Sequence, residues 1–150
     1  MAALKRIDLL TFLRGEKHAV QASTGAEGPQ AAVVGMAVGD DFELVFDTLT
    51  TTRKAKNLRR DPRIAFVIGG TGPRDEKTVQ YQGLADEPSG SELARCKQLY
   101  FARFPDGPTR EAWDGITYFR VRPRWLRWSD FSQNPPLVME WSADELRHLP

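Results

Sequence analysis

Seven short apolar runs, separated by turn residues, constrain the fold of this chain more than any other feature. Each run spans six to ten residues, and glycine, proline or aspartate stands between most of them, as in "GAEGP", "GDD" and "TGPRDEK". Strands this short and evenly spaced favour closure of an antiparallel sheet over an open one. The runs are "KHAVQAST", "PQAAVVGMAV", "FELVFDT", "RIAFVIGG", "TVQYQGLAD", "ITYFRV" and "RWLRWSDF". The sequence therefore predicts a mainly β (α+β) fold, a small antiparallel barrel of about six to seven strands with flanking helices.

Helical spacing is confined to a few segments. Apolar residues recur at helical intervals over residues 4–14 and 89–104, and strong helix formers fill residues 52–60 up to Asp61-Pro62. Arg122-Pro123 is expected to separate the last two strands. The segment after residue 132 reads as an irregular arm that reaches a neighbouring subunit and ends in a short helix capped by Ser142.

Length and charge limit the function classes. The 150 residues fit a single domain, 1–150, and 21 Lys plus Arg against 20 Asp plus Glu leave a net charge of +1. We therefore expect no nucleic-acid partner and no membrane partner. Cys96 is the only cysteine, and the first twenty residues carry scattered charges instead of an unbroken apolar core. A cytoplasmic location without a signal peptide is expected.

The stretch "FDTLTTTRKAKNLRRDPRIAFVI", residues 46–68, is the strongest candidate for a binding site. Thr48 ends a strand, Thr52 begins a helix, and Arg53 and Lys54 occupy its first turn. A helix N-terminus attracts anions, whereas basic residues there oppose the helix dipole unless an anion offsets them. The stretch thus fits a phosphate site, but a capped helix with a solvated basic face fits the same pattern.

The run from Ala31 to Val38 contains unusually small residues for a strand. Small side chains let a flat ring approach the strand backbone, although a strand packed under a large aromatic side chain would have the same composition. Other chemistries find little support. The two histidines, His18 and His148, are far apart, and neither paired-cysteine spacing nor a nucleophile-elbow motif is present.

Taken together, these segments resemble the pyridoxamine 5'-phosphate oxidase-like family, the flavin-binding split β-barrels. The match covers most of the chain and is most specific at Thr48, Thr52-Arg53-Lys54, Asn57-Leu58 and Asp61-Pro62-Arg63-Ile64. The resemblance implies an FMN cofactor whose phosphate lies on Thr48, Thr52, Arg53 and Lys54. It also implies that the flavin ring edge lies along the backbone of Val33, Val34, Gly35 and Met36.

Family members are typically homodimers with two flavins at the interface, so the resemblance implies a homodimer. Thr78 stands where the oxidases place a glutamine that contacts the flavin. The true oxidases carry basic residues on the second strand, whereas Ala32 and Ala37 occupy the aligned positions here. Oxidation of vitamin B6 phosphates is therefore not expected.

The resulting prediction is an FMN-dependent oxidoreductase with an unknown small-molecule substrate and no assigned catalytic side chain. A deazaflavin-dependent reductase of the same fold is one alternative. A flavin- or haem-binding protein without turnover is another, although His18 and His148 stand in no setting that suggests axial ligation.

Overall fold

A computed structural model describes residues 3–150 of the chain. Eight strands and four α-helices follow one another along it, with one 3₁₀-helix at Gly107–Ala112. The helices are α1 (Arg6–Gly15), α2 (Arg53–Arg60), α3 (Gly90–Arg103) and α4 (Ala143–Arg147). The strands are β1 (His18–Gly25), β2 (Gly28–Gly35), β3 (Ala37–Val38), β4 (Leu44–Leu49), β5 (Arg63–Gly69), β6 (Lys77–Asp86), β7 (Ile116–Asp130) and β8 (Leu137–Ser142).

The strands form one antiparallel sheet in the order β2-β1-β5-β6-β7-β4-β3, with β8 paired to β7. Only Met36 separates β2 from β3, so the path of the sheet returns to the segment from which it started. The result is the split barrel that the sequence predicts. Its opening lies between β2, which pairs only with β1 in the described chain, and β4, which pairs with β3 and β7.

The barrel encloses the main core, and α3 covers a second one. Inward side chains from all eight strands pack with α1, α2 and α4, and they include Phe46, Phe66, Tyr81 and Phe119, each at most 2% exposed. Burial of one such side chain contributes about 1.5–3 kcal/mol. The second cluster joins the outward face of β3 and β4 to α3. It therefore holds α3 beside the opening of the barrel.

Helix α2 follows directly from its sequence. Thr52 lies in extended conformation before the helix, and its Oγ1 accepts a hydrogen bond from the Ala55 amide at 3.3 Å. Ala55 and Leu58 face the core while all the basic residues except Lys54 are exposed, and the helix ends before Asp61-Pro62. The helix predicted over residues 52–60 is confirmed, with Thr52 as its cap.

The division of the last strands at Arg122-Pro123 was wrong. One strand, β7, runs through both residues, and β6 pairs with its residues 120–130. The register shifts where Gly83 pairs with Pro123 and Gln82 pairs with Trp125, so Arg124 is an extra residue in β7. This bulge accommodates the missing amide hydrogen of Pro123 without ending the strand.

The prediction of an irregular arm after residue 132 was wrong as well. Leu137–Ser142 forms β8 on β7 of the same chain, and Trp128 of β7 and Trp141 of β8 are 4% and 7% exposed. These tryptophans therefore need no second subunit to shield them. The short helix is confirmed, because Ser142 and Glu145 cap α4 reciprocally.

Candidate functional site

Three side chains of the predicted phosphate stretch meet where β4 leads into α2. Thr48 Oγ1 lies 3.1 Å from Thr52 Oγ1, and Lys54 Nζ donates to Thr48 Oγ1 at 3.3 Å. We call Thr48, Thr52 and Lys54 the threonine–lysine cluster. Thr52 Oγ1 donates to the Leu49 carbonyl at 2.8 Å and accepts from the Ala55 amide, so the Lys54 ammonium and the first amides of α2 are the donors available to a ligand.

The charge of Lys54 is uncompensated by direct contact. Its side chain is half-buried, no carboxylate of residues 3–150 lies within ion-pair distance, and burial lowers the pKa of its ammonium group. The nearby carboxylate of Asp47 acts in the opposite direction but does not outweigh the desolvation. A half-buried cation in this setting favours an anion as its partner.

Asp47 is held away from Lys54 by two other groups. Its carboxylate accepts a hydrogen bond from the Tyr100 hydroxyl at 2.9 Å and one from Arg110 Nε at 2.8 Å. Both charged side chains are 16% exposed, and burial together with Asp47 raises the pKa of Tyr100. Sequence reasoning missed this trio, because Arg110 lies 63 residues from Asp47 and only the tertiary fold brings them together.

Arg53 lies outside the threonine–lysine cluster. Its side chain is exposed and lines a cavity of about 390 Å³ between the β1–β2 turn and α2. Asn57 and Gln30 also line that cavity, and Asn57 Nδ2 donates to Gln30 Oε1 at 3.2 Å. The two predicted basic residues therefore flank the start of α2 instead of sharing one position.

Strand β2 presents a free backbone edge beside this site. Val33 is 65% exposed on the outer face, whereas Val34 and Met36 are buried at 7% and 1%. Gly35 allows the Phe104 ring to lie against the strand, since a Cβ at this position would come within 2.7 Å of the ring. A strand edge with unpaired amides and carbonyls can hydrogen-bond the polar edge of a flat ring.

Thr78 is the one predicted cofactor residue that lies apart from the rest within a single chain. It pairs with Gly69 and Ser129 at the start of β6, whereas Thr48 pairs with Thr117 at the other end of β7. Its contact with a cofactor remains a prediction that would require a second copy of the chain.

Residues 3–150 contain no group of three or more His, Cys, Asp or Glu side chains able to hold a metal ion. His18 and His148 are both exposed, at the start of β1 and after α4. No helix of the described chain has the length and apolar character needed to cross a bilayer.

Comparison with known families identifies one match. The family model for pyridoxamine 5'-phosphate oxidase matches residues 8–128, which span the opening strands, the threonine–lysine cluster and most of β7. No curated protein sequence matches the chain.

Solved structures share the fold at low sequence identity. A haem-binding protein from Mycobacterium smegmatis aligns with a TM-score of 0.82 and 15% identity, over 99% of this chain and 62% of that longer one. The haem storage protein HutZ from Vibrio cholerae gives 0.68 and 15%, over 78% and 88% of the two chains. A putative pyridoxamine 5'-phosphate oxidase from Listeria innocua gives 0.65 and 16%, over 82% and 96%.

Proposed function

The chain belongs to the pyridoxamine 5'-phosphate oxidase family, and from this membership we propose that it binds FMN and uses it to oxidise or reduce a small molecule. The observation that carries the proposal is the uncompensated, half-buried ammonium group of Lys54 among the Thr48 and Thr52 hydroxyls. A phosphate monoester has the charge that this ammonium group requires, and its oxygens can accept hydrogen bonds from the first amides of α2.

Different residues would bind the phosphate and the ring of the cofactor. Thr48, Thr52 and Lys54 would bind the phosphate, with Arg53 approaching from the neighbouring cavity. The free backbone edge of β2 from Val33 to Gly35, together with Met36 just after it, would hydrogen-bond the ring. Bound FMN would supply the redox chemistry, so the protein's own contribution is to orient the ring and exclude water.

The chain's relatives supply a specific alternative, a haem-binding protein without turnover. Two of the structures that share its fold bind or store haem, according to their names. The exposed imidazoles of His18 and His148 are the available axial ligands of the usual type, and neither lies at the threonine–lysine cluster. FMN is favoured because the cluster fits a phosphate. A deazaflavin remains the alternative within flavin chemistry.

The absorbance spectrum of the purified protein tests the proposal directly. We expect a flavin spectrum that bleaches on anaerobic addition of NADH, NADPH or another reductant and returns when an electron acceptor is added. A Soret band after incubation with haem, together with no retention of FMN, would replace the proposal with the haem-binding alternative. Flavin that remains bound without any redox turnover would support FMN as the cofactor but would refute the proposed enzymatic activity.

The pH dependence of FMN affinity provides a second test. Lys54 must be protonated to bind phosphate, and its lowered pKa means that the proton leaves below the ordinary value of 10.5. We therefore expect FMN affinity to fall as the pH rises from neutral through that lowered pKa, while the phosphate itself stays dianionic. Lys54→Arg, which keeps its charge, should remove the dependence. An equal decline in both proteins would contradict the role of Lys54.

A second copy of the chain is the partner that we propose, and the outer face of the barrel is its docking surface. This outer face is the outward side of β1, β2, β5 and β6, where Val33 and Val67 are 65% and 45% exposed. Adjoining grooves of about 520 and 320 Å³ run over Ala22 and Ala65 on the same side. Thr78 shares the face with Gln80 and Gln82, so a second copy seated here would contribute it to the interface.

Light scattering is expected to give about twice the 16.9 kDa chain mass at micromolar concentration. Val67→Glu would place a charge in the centre of the apolar face, so this variant should shift the mass toward the monomer. Ile7→Glu is the matched control, since Ile7 is 62% exposed on α1, away from the outer face. A monomeric wild-type protein would contradict the proposal.

A further inference from the structure

We propose that a cavity between α1, β3 and α3 binds a small organic carboxylate with an apolar body. The cavity has a volume of about 230 Å³ and is separate from the threonine–lysine cluster. Its floor is Met36, Ala37 and Val38, and two arginines, Arg14 and Arg103, stand in its wall. This site does not depend on the proposed flavin chemistry.

The floor of the cavity selects an apolar ligand. Met36, Ala37 and Val38 are 1%, 3% and 4% exposed, and half-buried Leu99 extends the same surface along α3. These side chains offer no hydrogen-bonding group. The body of a ligand that fills this space must therefore be hydrocarbon or aromatic.

The two arginines differ in their electrostatic state. Arg14 donates through Nε to the Val38 carbonyl at 3.2 Å and forms an ion pair with Asp40 at 2.6 Å. Arg103 Nε is buried without any hydrogen-bond partner, and no carboxylate of residues 3–150 lies within 4 Å of its guanidinium nitrogens. The one uncompensated charge in the wall is therefore that of Arg103.

A carboxylate matches this uncompensated charge. The two Nη groups at the end of a guanidinium lie side by side, so the two oxygens of a carboxylate can accept a hydrogen bond from each. A monoanion balances the single charge of Arg103, whereas a dianion would leave one charge against the apolar floor. The geometry thus combines an apolar body with one carboxylate group.

Benzoate is a suitable probe, with the protein followed by amide resonances in an NMR titration. We expect saturable shifts confined to residues 36–38 and 99–103. Arg103→Met should weaken benzoate binding by about 10- to 100-fold, because one charge-assisted pair is lost. Benzamide, which has the same shape and no charge, should bind wild type more weakly by a similar factor. Arg74→Met, in the loop between β5 and β6, is the control and should bind benzoate like wild type.

Three results would overturn the proposal. They are the absence of saturable shifts, equal binding of benzamide and benzoate, and shifts found only at the start of α2. If Arg103→Met does not fold, Ala102→Phe provides a second variant that keeps the charge. Ala102 is exposed on α3 and lines the cavity, so a phenyl ring there should occupy the ligand's space and abolish binding. Unchanged benzoate affinity in this variant would count against the cavity.

Discussion

Replacing Arg53 and Lys54 together by alanine is expected to weaken FMN binding by about two to four orders of magnitude. Each charge-assisted contact to a phosphate contributes about 1.5–3 kcal/mol, and 1.4 kcal/mol corresponds to a tenfold change in affinity. Lys54 should account for the larger part, because its ammonium is half-buried whereas Arg53 is exposed and screened by solvent. Titration of each single variant with FMN separates the two contributions.

The apo fold should change little in the same double variant. Alanine is the better helix former, basic residues in the first turn oppose the dipole of α2, and no acidic side chain offsets them there. Loss of the Lys54 side-chain packing acts in the opposite direction, so we expect the free energy of unfolding to stay within about 1 kcal/mol of wild type. Added FMN should then raise the melting temperature of wild type far more than that of the variant.

Two controls make this result specific to the site. Lys56→Ala with Arg60→Ala removes the same charge from the same helix, but both residues are exposed and lie outside the threonine–lysine cluster. This variant should retain most FMN affinity. Riboflavin lacks the phosphate and should distinguish wild type from the Arg53/Lys54 variant far less than FMN does. Equal FMN affinity in wild type and the Arg53/Lys54 variant would contradict the phosphate site. The start of α2 would then be only a capped helix with a solvated basic face.

Most of the fold could be predicted from local sequence patterns. Thr52 as a helix cap, Asp61-Pro62 as a helix end and the alternating runs each depend on residues close together in sequence, and the structure confirms them. The errors arose where distant partners decide the outcome. Pro123 stays within a strand because Gly83 and Gln82 on β6 accept a bulge, and Leu137–Ser142 becomes a strand because β7 offers a free edge.

The candidate site also combines contacts that local sequence can predict with contacts that depend on the tertiary fold. Thr48, Thr52 and Lys54 lie within seven residues, so the sequence could bring them together. The engagement of Asp47 by Tyr100 and Arg110 could not be foreseen, because it depends on how α3 and the 3₁₀-helix dock on β4. This trio matters for the site, since a free Asp47 carboxylate would compete with an anion for Lys54.

The second prediction with a large expected effect concerns the substrate of the proposed enzyme. We expect the FMN-loaded protein not to turn over pyridoxine 5'-phosphate at low micromolar concentration, despite its family membership. The resemblance places basic residues of the true oxidases at the positions of Ala32 and Ala37. Two missing charged hydrogen bonds would weaken substrate binding by roughly two to four orders of magnitude.

The surroundings of the two alanines reinforce this expectation. Ala37 is 3% exposed and packs in the apolar cluster with Tyr100 and Phe104, so its side chain offers a phosphate neither a charge nor a hydrogen bond. Ala32 lies directly across from Gln21, a neutral side chain that is fully buried. Neither alanine carries the charge that would offset the lost hydration of a phosphate brought to its position.

Product formation under air, measured with protein whose flavin content is known from its absorbance, tests the prediction. A true oxidase of the family, assayed in parallel, shows that the assay detects turnover. Activity that appears only at millimolar substrate and does not saturate would agree with the expected loss of binding, because chemistry at the flavin would persist while the phosphate contacts are missing. Robust, saturable oxidation at low micromolar substrate would show that other groups replace the cations absent at Ala32 and Ala37.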